Sequence, residues 1–246
     1  MITTTVASVI ERRLLVNYRI KPGFVAPLLP EPFRPQLVSG YAVGGVCFIR
    51  LGRIRPPHIP RALGITTENV AHRFAVEWDD ADGGHVGVYV PRRDTNSRVT
   101  SLAGGRVFPG SYRLARFNVR EPGDEVRIRV FSHDGQVRLA VEAVPAGELP
   151  SELFGTLDEA VGFFRHGALG FSPSGRGGCL DTVRLESTRW AARPMKVNRM
   201  TSSLFDDPAV FPPGTCVVDS ALVMRNLPVQ WVTELPPATD PRGRAA

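Results

Sequence analysis

The feature that most constrains the fold is an alternation of apolar and polar side chains with a period of two. Successive side chains of a β-strand point to opposite faces of the sheet, so this period predicts strands with one face in the core. The alternation is clearest at Val70, His72, Phe74, Val76 and Trp78.

The same pattern predicts further strands over residues 43–54, 86–90, 112–119, 125–131, 136–143, 180–190 and 216–224. Helical signals are scarce and fall at residues 22–29, 96–104 and 157–166. The last of these begins with Thr156 as N-cap and Glu159 at the third helical position, which is a capping box. The sequence therefore predicts a mainly β (α+β) fold of mostly antiparallel strands with a few short helices.

Loops rich in proline and glycine separate the predicted strands, and no shift in composition marks a second domain. We expect residues 1–234 to form one domain and the Pro-rich tail, residues 235–246, to be disordered. The glycine pairs of the chain lack the spacing of a phosphate-binding loop, so they predict tight turns.

Charge distribution and hydropathy argue against two kinds of partner, nucleic acids and membranes. Of the 246 residues, 28 are arginine and two are lysine, and the net charge is +6. The arginines are dispersed, whereas a nucleic-acid binder usually clusters its charge, so nucleic-acid binding is the weakest of the functions considered. No apolar run has membrane-spanning length and the first residues lack a signal-peptide pattern, so no membrane partner is expected.

The cysteines and histidines do not stand at metal-ligand spacing, so the sequence predicts neither a metal site nor another cofactor. The three cysteines are far apart and odd in number, which favours reduced thiols in a cytoplasmic protein. The sequence leaves the oligomeric state open, and a homo-oligomer is compatible with it. The three positions are Cys47, Cys179 and Cys216.

Several short segments carry information through their order and spacing. The segments are LLVNYRIKP (14–22), LPEPF (29–33), ENV (68–70), FAVEW (74–78), GVYV (87–90), GGR (104–106), SYRLA (111–115) and DSALVMRNLP (219–228), with Trp231 after the last. Together they resemble the acetoacetate decarboxylase-like superfamily and its YqjF-like branch of unknown function. The resemblance covers most of residues 10–231, and it implies a curved antiparallel barrel or cone around a small-molecule cavity.

The family's enzyme forms a Schiff base between a lysine amine and a keto acid, but its two motif lysines fall here on Tyr112 and Arg113. A phenol forms no imine, and an arginine is not deprotonated in proteins. Lys21, beside a turn, and Lys196, in a segment typical of a loop, are expected to be solvated. The resemblance therefore implies a small-molecule site without imine chemistry.

Two residues are the candidate catalytic groups. Glu68 matches the family's cavity glutamate and would act as a general acid or base, and Tyr112 would donate a hydrogen bond to a carbonyl or enolate oxygen. Alternatives stay open at this stage. Glu68 would otherwise accept backbone N–H bonds or pair with Arg73, and Tyr112 would be an ordinary core aromatic residue.

Three further residues are candidates for substrate binding. Arg113 would hold a carboxylate through paired hydrogen bonds. Arg19 is a further candidate anion binder, because the resemblance aligns Tyr18-Arg19 with a family strand that borders the cavity. Neighbouring strand residues point to opposite faces, so Tyr112 rather than Arg113 is expected to face inward. His72 lies on an apolar strand face, where a packed core histidine is the alternative.

Two functions of different class follow from these residues. The first is an enzyme that carries out non-imine acid–base chemistry, of lyase, isomerase or hydratase type, on a metabolite bearing a carbonyl or carboxylate. The second is a non-catalytic ligand-binding or structural domain of the same fold, since a fold alone does not decide function.

Overall fold

The computed structural model describes residues 5–103, 110–174 and 179–234. Within these ranges thirteen strands form a single sheet. The strands are β1 (Thr5–Ile20), β2 (Arg34–Pro35), β3 (Leu37–Val38), β4 (Tyr41–Arg55), β5 (Ile65–Asp80), β6 (Gly83–Thr95), β7 (Tyr112–Arg120), β8 (Val126–Ser132), β9 (Arg138–Pro145), β10 (Leu169–Pro173), β11 (Leu180–Glu186), β12 (Arg193–Ser202) and β13 (Cys216–Glu234).

The helices are short, as the sequence predicts. They are α1 (Pro22–Val25), α2 (Arg98–Ala103) and α3 (Leu157–His166), with 3-10 turns at Ala26–Leu28 and Arg61–Leu63. The predicted cap of α3 is present, because Thr156 Oγ1 accepts a hydrogen bond from the Glu159 N–H at 3.1 Å. The Glu159 side chain accepts in turn from the Gly155 N–H at 2.9 Å, which ties the preceding loop to the helix.

The expectation of a mainly β fold with a few short helices is confirmed, and the sheet is curved and mixed rather than a strict barrel. Most neighbouring strands are antiparallel, but β6 pairs parallel with both β7 and β10. A parallel pair needs a connection that returns the chain to its starting edge, and α2 lies on the connection from β6 to β7.

The strand pairings close into two circuits that share β13, β1, β4, β5 and β6. The first circuit is completed by β7, β8, β9 and β12, and the second by β10 and β11 through the additional β11–β13 pairing. The shared strands are therefore covered on both faces, and residues 42–49 of β4 are buried without interruption.

Each face of the shared strands carries its own hydrophobic core. Phe74 and Val76 of β5 belong to the first core, while Ala75 between them belongs to the second, as strand alternation requires. Helix α3 covers the second core with Ala160 and Phe164. Alternate residues of the shared strands thus belong to the first and the second core. The candidate functional site lies on the face of the second core.

Some expectations about local structure need correction or lie outside the described residues. Residues 193–202 form strand β12 where a loop was expected around Lys196, although the Lys196 side chain is exposed. The glycine-rich segments at 104–106 and 175–178, and the tail 235–246, fall outside the described ranges. Among the residues that the structure describes, no helix is long and apolar enough to cross a membrane.

Candidate functional site

A cavity of about 130 Å³ lies on the second-core face of the shared strands. Strands β1, β4, β5 and β6 form one wall, and β10, β11 and β13 form the other. An apolar cavity of about 150 Å³ accommodates a molecule as large as benzene, so this one suits a small metabolite. Its lining is Arg13, Cys47, Ile49, Leu51, Ile54, Asn69, Val70, Ala71, Arg73, Val88, Val90, Arg93, Tyr112, Gly167, Ala168, Gly170, Val183, Leu185 and Trp231.

Three arginines, Arg13, Arg73 and Arg93, interrupt this largely apolar lining, and none of the described lining residues is an aspartate or glutamate. Buried arginines are usually paired with a carboxylate, because taking a guanidinium out of water is expensive. Among the described residues, Arg13 and Arg73 have no carboxylate partner, so the positive charge of these two is not neutralised by the cavity walls.

Arg73 is the most deeply buried of the three, with 6 % of its surface exposed. Its Nη2 donates to the neutral amide oxygen Oδ1 of Asn17, while its Nε has no partner. The guanidinium carbon lies 4.6 Å from the centre of the Phe164 ring of α3, which is a cation–π contact. Burial, with a smaller contribution from Arg13, lowers the pKa of Arg73 to about 10.

A glycine makes room for the Arg73 side chain. Gly45 of β4 is paired with Arg73 of β5 in the sheet. A Cβ atom at this glycine would lie 2.4 Å from the Val16 carbonyl oxygen and 3.4 Å from Arg73 Nη2. The absence of a side chain thus lets the guanidinium lie over the neighbouring strand.

Arg13 and Arg93 approach the same cavity from other strands. The Nε and Nη1 of Arg13 are buried without a hydrogen-bond partner, and its guanidinium lies 5.9 Å from the Trp190 ring. The guanidinium of Arg93 lies 5.6 Å from the Tyr112 ring, and these two residues are paired between β6 and β7. Tyr112 thereby brings a phenol to the arginine-bearing side of the cavity.

Of the residues predicted for the site, the structure brings Tyr112 to the cavity and leaves Arg113 outside it. Arg113 Nη1 pairs with Asp134 at 3.0 Å, and 61 % of its side chain is exposed. This division follows from strand alternation, as the sequence reasoning anticipated.

The predicted meeting of Glu68 with Tyr112 in one cavity is not formed. Glu68 does not line the cavity, although its neighbour Asn69 does. The Glu68 carboxylate instead forms an ion pair with Arg12, which is 1 % exposed, and lies 3.7 Å from Arg50 Nη1. Burial raises the pKa of Glu68 and outweighs the lowering by the two arginines. Pairing with Arg73, the alternative considered from the sequence, is not the contact observed.

His72 and Arg19 also lie away from the cavity. His72 belongs to the first-core face, its ring centre is 6.0 Å from that of Phe205, and burial lowers its pKa to about 4. Arg19 forms an ion pair with Glu152 and lies 6.0 Å from the Tyr41 ring.

Sequence reasoning missed the three cavity arginines. A signal was present at Arg73, which alternates with Ala71 and Ala75 on a strand whose other face is also apolar. At the end of β6, Arg92 and Asp94 form an ion pair at 2.7 Å in which Asp94 is fully buried, and Arg93 between them lines the cavity.

The described residues contain no group of three or more His, Cys, Asp or Glu side chains that could hold a metal ion. The polar groups in the described lining include the three guanidiniums, the Asn69 amide, the Tyr112 hydroxyl and the Cys47 thiol. The guanidiniums are cationic donors and no described lining residue is a carboxylate, so the arrangement suits an anion better than a cation.

Solved structures with the same fold are acetoacetate decarboxylases and their relatives. The Legionella pneumophila acetoacetate decarboxylase is 11 % identical, with a TM-score of 0.59 over 93 % of this chain and 84 % of that one. An acetoacetate decarboxylase-like enzyme from Sphingomonas wittichii RW1 is 13 % identical, with a TM-score of 0.57 over 94 % and 90 %. The enduracididine biosynthesis enzyme MppR, complexed with pyruvate, is 12 % identical, with a TM-score of 0.57 over 94 % and 88 %.

At these identities the likeness establishes the fold alone. No curated protein matches the chain in sequence. A family described as "Uncharacterized conserved protein (COG2071)" matches residues 9–222, which is most of the 246-residue chain. The chain therefore belongs to this family, DUF2071, and has an acetoacetate decarboxylase-like fold.

Proposed function

We propose that the protein binds a small organic anion, of the size of a short keto acid, in the arginine-lined cavity. The observation that carries this proposal is Arg73, a buried guanidinium whose described contacts include no carboxylate and whose Nε has no partner. A ligand carboxylate would supply the missing counter-charge and accept the unused N–H groups.

Arg13 supports the same location for the carboxylate. Its Nε and Nη1 are likewise without partners, and its charge contributes to the lowered pKa of Arg73. Two like charges held together in an apolar cavity repel each other, and a bound anion relieves that repulsion. The apolar remainder of the lining fits the short carbon chain of such a ligand.

Tyr112 would hold the other end of the ligand. Its hydroxyl can donate a hydrogen bond to a carbonyl oxygen, and Arg93 beside it adds positive charge there. Pyruvate, bound in the structure of MppR, has both a carboxylate and a carbonyl and serves as a probe. Imine chemistry is not part of the proposal, because Lys21 and Lys196 are the chain's two lysines and both are exposed.

Binding is tested by isothermal titration with pyruvate and with methyl pyruvate, its uncharged ester. We expect pyruvate to bind and the ester to bind at least about tenfold more weakly, since a hydrogen-bonded charge contributes about 1.5–3 kcal/mol. Arg73→Met should abolish the difference between the two ligands. The matched control is Arg127→Met on β8, an arginine whose side chain is 55 % exposed. Equal binding of the two ligands by the wild type would contradict the proposal.

A second candidate function is enolisation of such a ligand, supported by the Tyr112 hydroxyl in the cavity. The hydroxyl would stabilise the enolate oxygen, and Glu68, which lies outside the lining, would not touch the reacting carbon directly. Exchange of the pyruvate methyl protons in D₂O, followed by NMR, separates this candidate from simple binding. Exchange above the buffer rate that is lost in Tyr112→Phe would support the enzyme, whereas binding without exchange would favour the non-catalytic domain.

A further inference from the structure

Cys47 occupies a central position in the cavity wall. In the sheet register Cys47 of β4 lies directly opposite Leu15 of β1 and Ala71 of β5. On the same face, Arg13 lies two residues before Leu15, opposite Ile49, and Arg73 lies two residues after Ala71, opposite Gly45, so the two arginines are at opposite diagonals of Cys47. Such diagonal neighbours stand about 7–8 Å apart across antiparallel strands, within reach of a long side chain. The thiol therefore lies between the two cations that lack a carboxylate partner.

The other two thiols have different surroundings. Cys179 is exposed. Cys216 is half-buried, and burial together with the nearby Asp206 raises its pKa to about 12. A buried free cysteine usually serves only as a small apolar side chain. Cys47 differs because its sulfur borders a cavity that also presents unpartnered guanidinium N–H groups.

We infer that Cys47 is a site of covalent modification by electrophiles that carry a carboxylate. This inference rests on the proposed anion-binding function, since the two arginines would hold the carboxylate while the electrophilic carbon faces the sulfur. The relevant ligand class is an organic acid that bears a leaving group on the carbon next to the carboxylate. The Cys47 sulfur forms a bond to that carbon, the leaving group departs with the bonding electron pair, and the thiol proton passes to solvent.

The selectivity arises from positioning. Charges that focus an anion into a cleft raise its local concentration, and thus its encounter rate, by about 10–10³-fold. A reagent held beside the sulfur also reacts as if the step were intramolecular. Neither effect operates on a neutral reagent of the same size, so a comparison of charged and neutral reagents isolates the contribution of Arg13 and Arg73.

The experiment compares iodoacetate with iodoacetamide, which share a leaving group and differ in charge. The native protein is treated with each reagent, and the rate of alkylation of every cysteine is measured by peptide mass spectrometry. The same measurement in urea gives the intrinsic preference of each thiol. We expect the iodoacetate-to-iodoacetamide rate ratio at Cys47 to be about tenfold or more higher in the native protein than in urea. Cys179 and Cys216 should show no such rise.

Two controls connect the effect to the cavity. Excess pyruvate should protect Cys47 from both reagents, and Arg73→Met should remove the preference for iodoacetate while Arg127→Met retains it. A native ratio equal to the ratio in urea, or no labelling of Cys47 by either reagent, would overturn the inference. If pyruvate binds and Cys47 does not react, the inference fails alone. If pyruvate does not bind and Cys47 reacts without preference, the proposed function fails as well.

Discussion

Replacing Arg73 by methionine should make the ligand-free protein more stable and remove its affinity for carboxylates. Methionine has a similar length and fills the same space, but it carries no charge. Burial lowers the pKa of Arg73 to about 10 from an ordinary value of 12.5. At about 1.4 kcal/mol per pH unit, this corresponds to about 3 kcal/mol opposing the charged side chain in the folded protein.

Two favourable contacts are lost in the same variant. The cation–π contact with Phe164, 4.6 Å away, contributes about 1 kcal/mol, and methionine retains part of it through its sulfur. The Asn17 Oδ1 atom loses its donor, which costs about 1 kcal/mol. The free energy of unfolding should therefore rise by about 1 kcal/mol, and Tm by about 2–4 °C for a chain of this length.

The assay is thermal unfolding with and without pyruvate. At a ligand concentration one hundred times Kd, the wild type should gain about 2.7 kcal/mol and the variant almost nothing. The variant should then unfold above the wild type without pyruvate and below it with pyruvate. A variant destabilised by more than about 2 kcal/mol without ligand, in the range of a buried-core defect, would mean that Arg73 is structural and would refute the reasoning.

Four further predictions concern residues inside and outside the cavity. Because His72 has a folded pKa of about 4 against 6.5 unfolded, the unfolded chain binds more protons between these values, and stability should fall as pH drops. Between pH 7 and pH 5, the free energy of unfolding measured in urea should drop by about 2 kcal/mol more in the wild type than in His72→Leu. The matched control is His58→Leu, at an exposed site, in which the drop should equal that of the wild type. Glu68→Gln should lower the free energy of unfolding in urea by about 2 kcal/mol, because it removes one of the two carboxylates around buried Arg12. Tyr112→Phe should leave the free energy of unfolding unchanged and weaken pyruvate binding about fivefold or more. Borohydride added with pyruvate should leave the intact mass unchanged, and a reduced adduct on either lysine would restore imine chemistry.

Much of the strand content could be predicted because burial of one strand face produces an alternation of apolar and polar residues in the sequence. The alternation from Val70 to Trp78 became part of β5, and the Thr156 cap began α3 at the expected residue. Strand β12 was missed because its residues are largely exposed or half-buried, so Lys196 and its neighbours carry no strong alternation. The parallel pairing of β6 with β7 depends on the path of α2 and leaves no pattern in the sequence.

Of the five residues proposed from the sequence, Tyr112 is the one that lines the cavity. Tyr112 was found because a family motif aligned with it, and strand alternation excluded Arg113. Glu68 was placed in the cavity by the same kind of alignment, but here it neutralises the buried Arg12. An isolated sequence gives no indication that Arg12 is its partner, because the two are 56 residues apart.

By itself the sequence determined the faces of the strands: the odd spacing of Glu68 and Arg73 on β5 puts them on opposite sides. It also limited imine chemistry to two side chains, Lys21 and Lys196, which the structure shows to be exposed. Only the tertiary structure decided which side holds the cavity, since β10 and β11 cover the face of Arg73 and enclose space there. The sequence does not indicate this side, because both faces of the shared strands are buried and carry the same apolar residue types. A local pattern therefore does not distinguish the fully packed core from the core that contains a cavity.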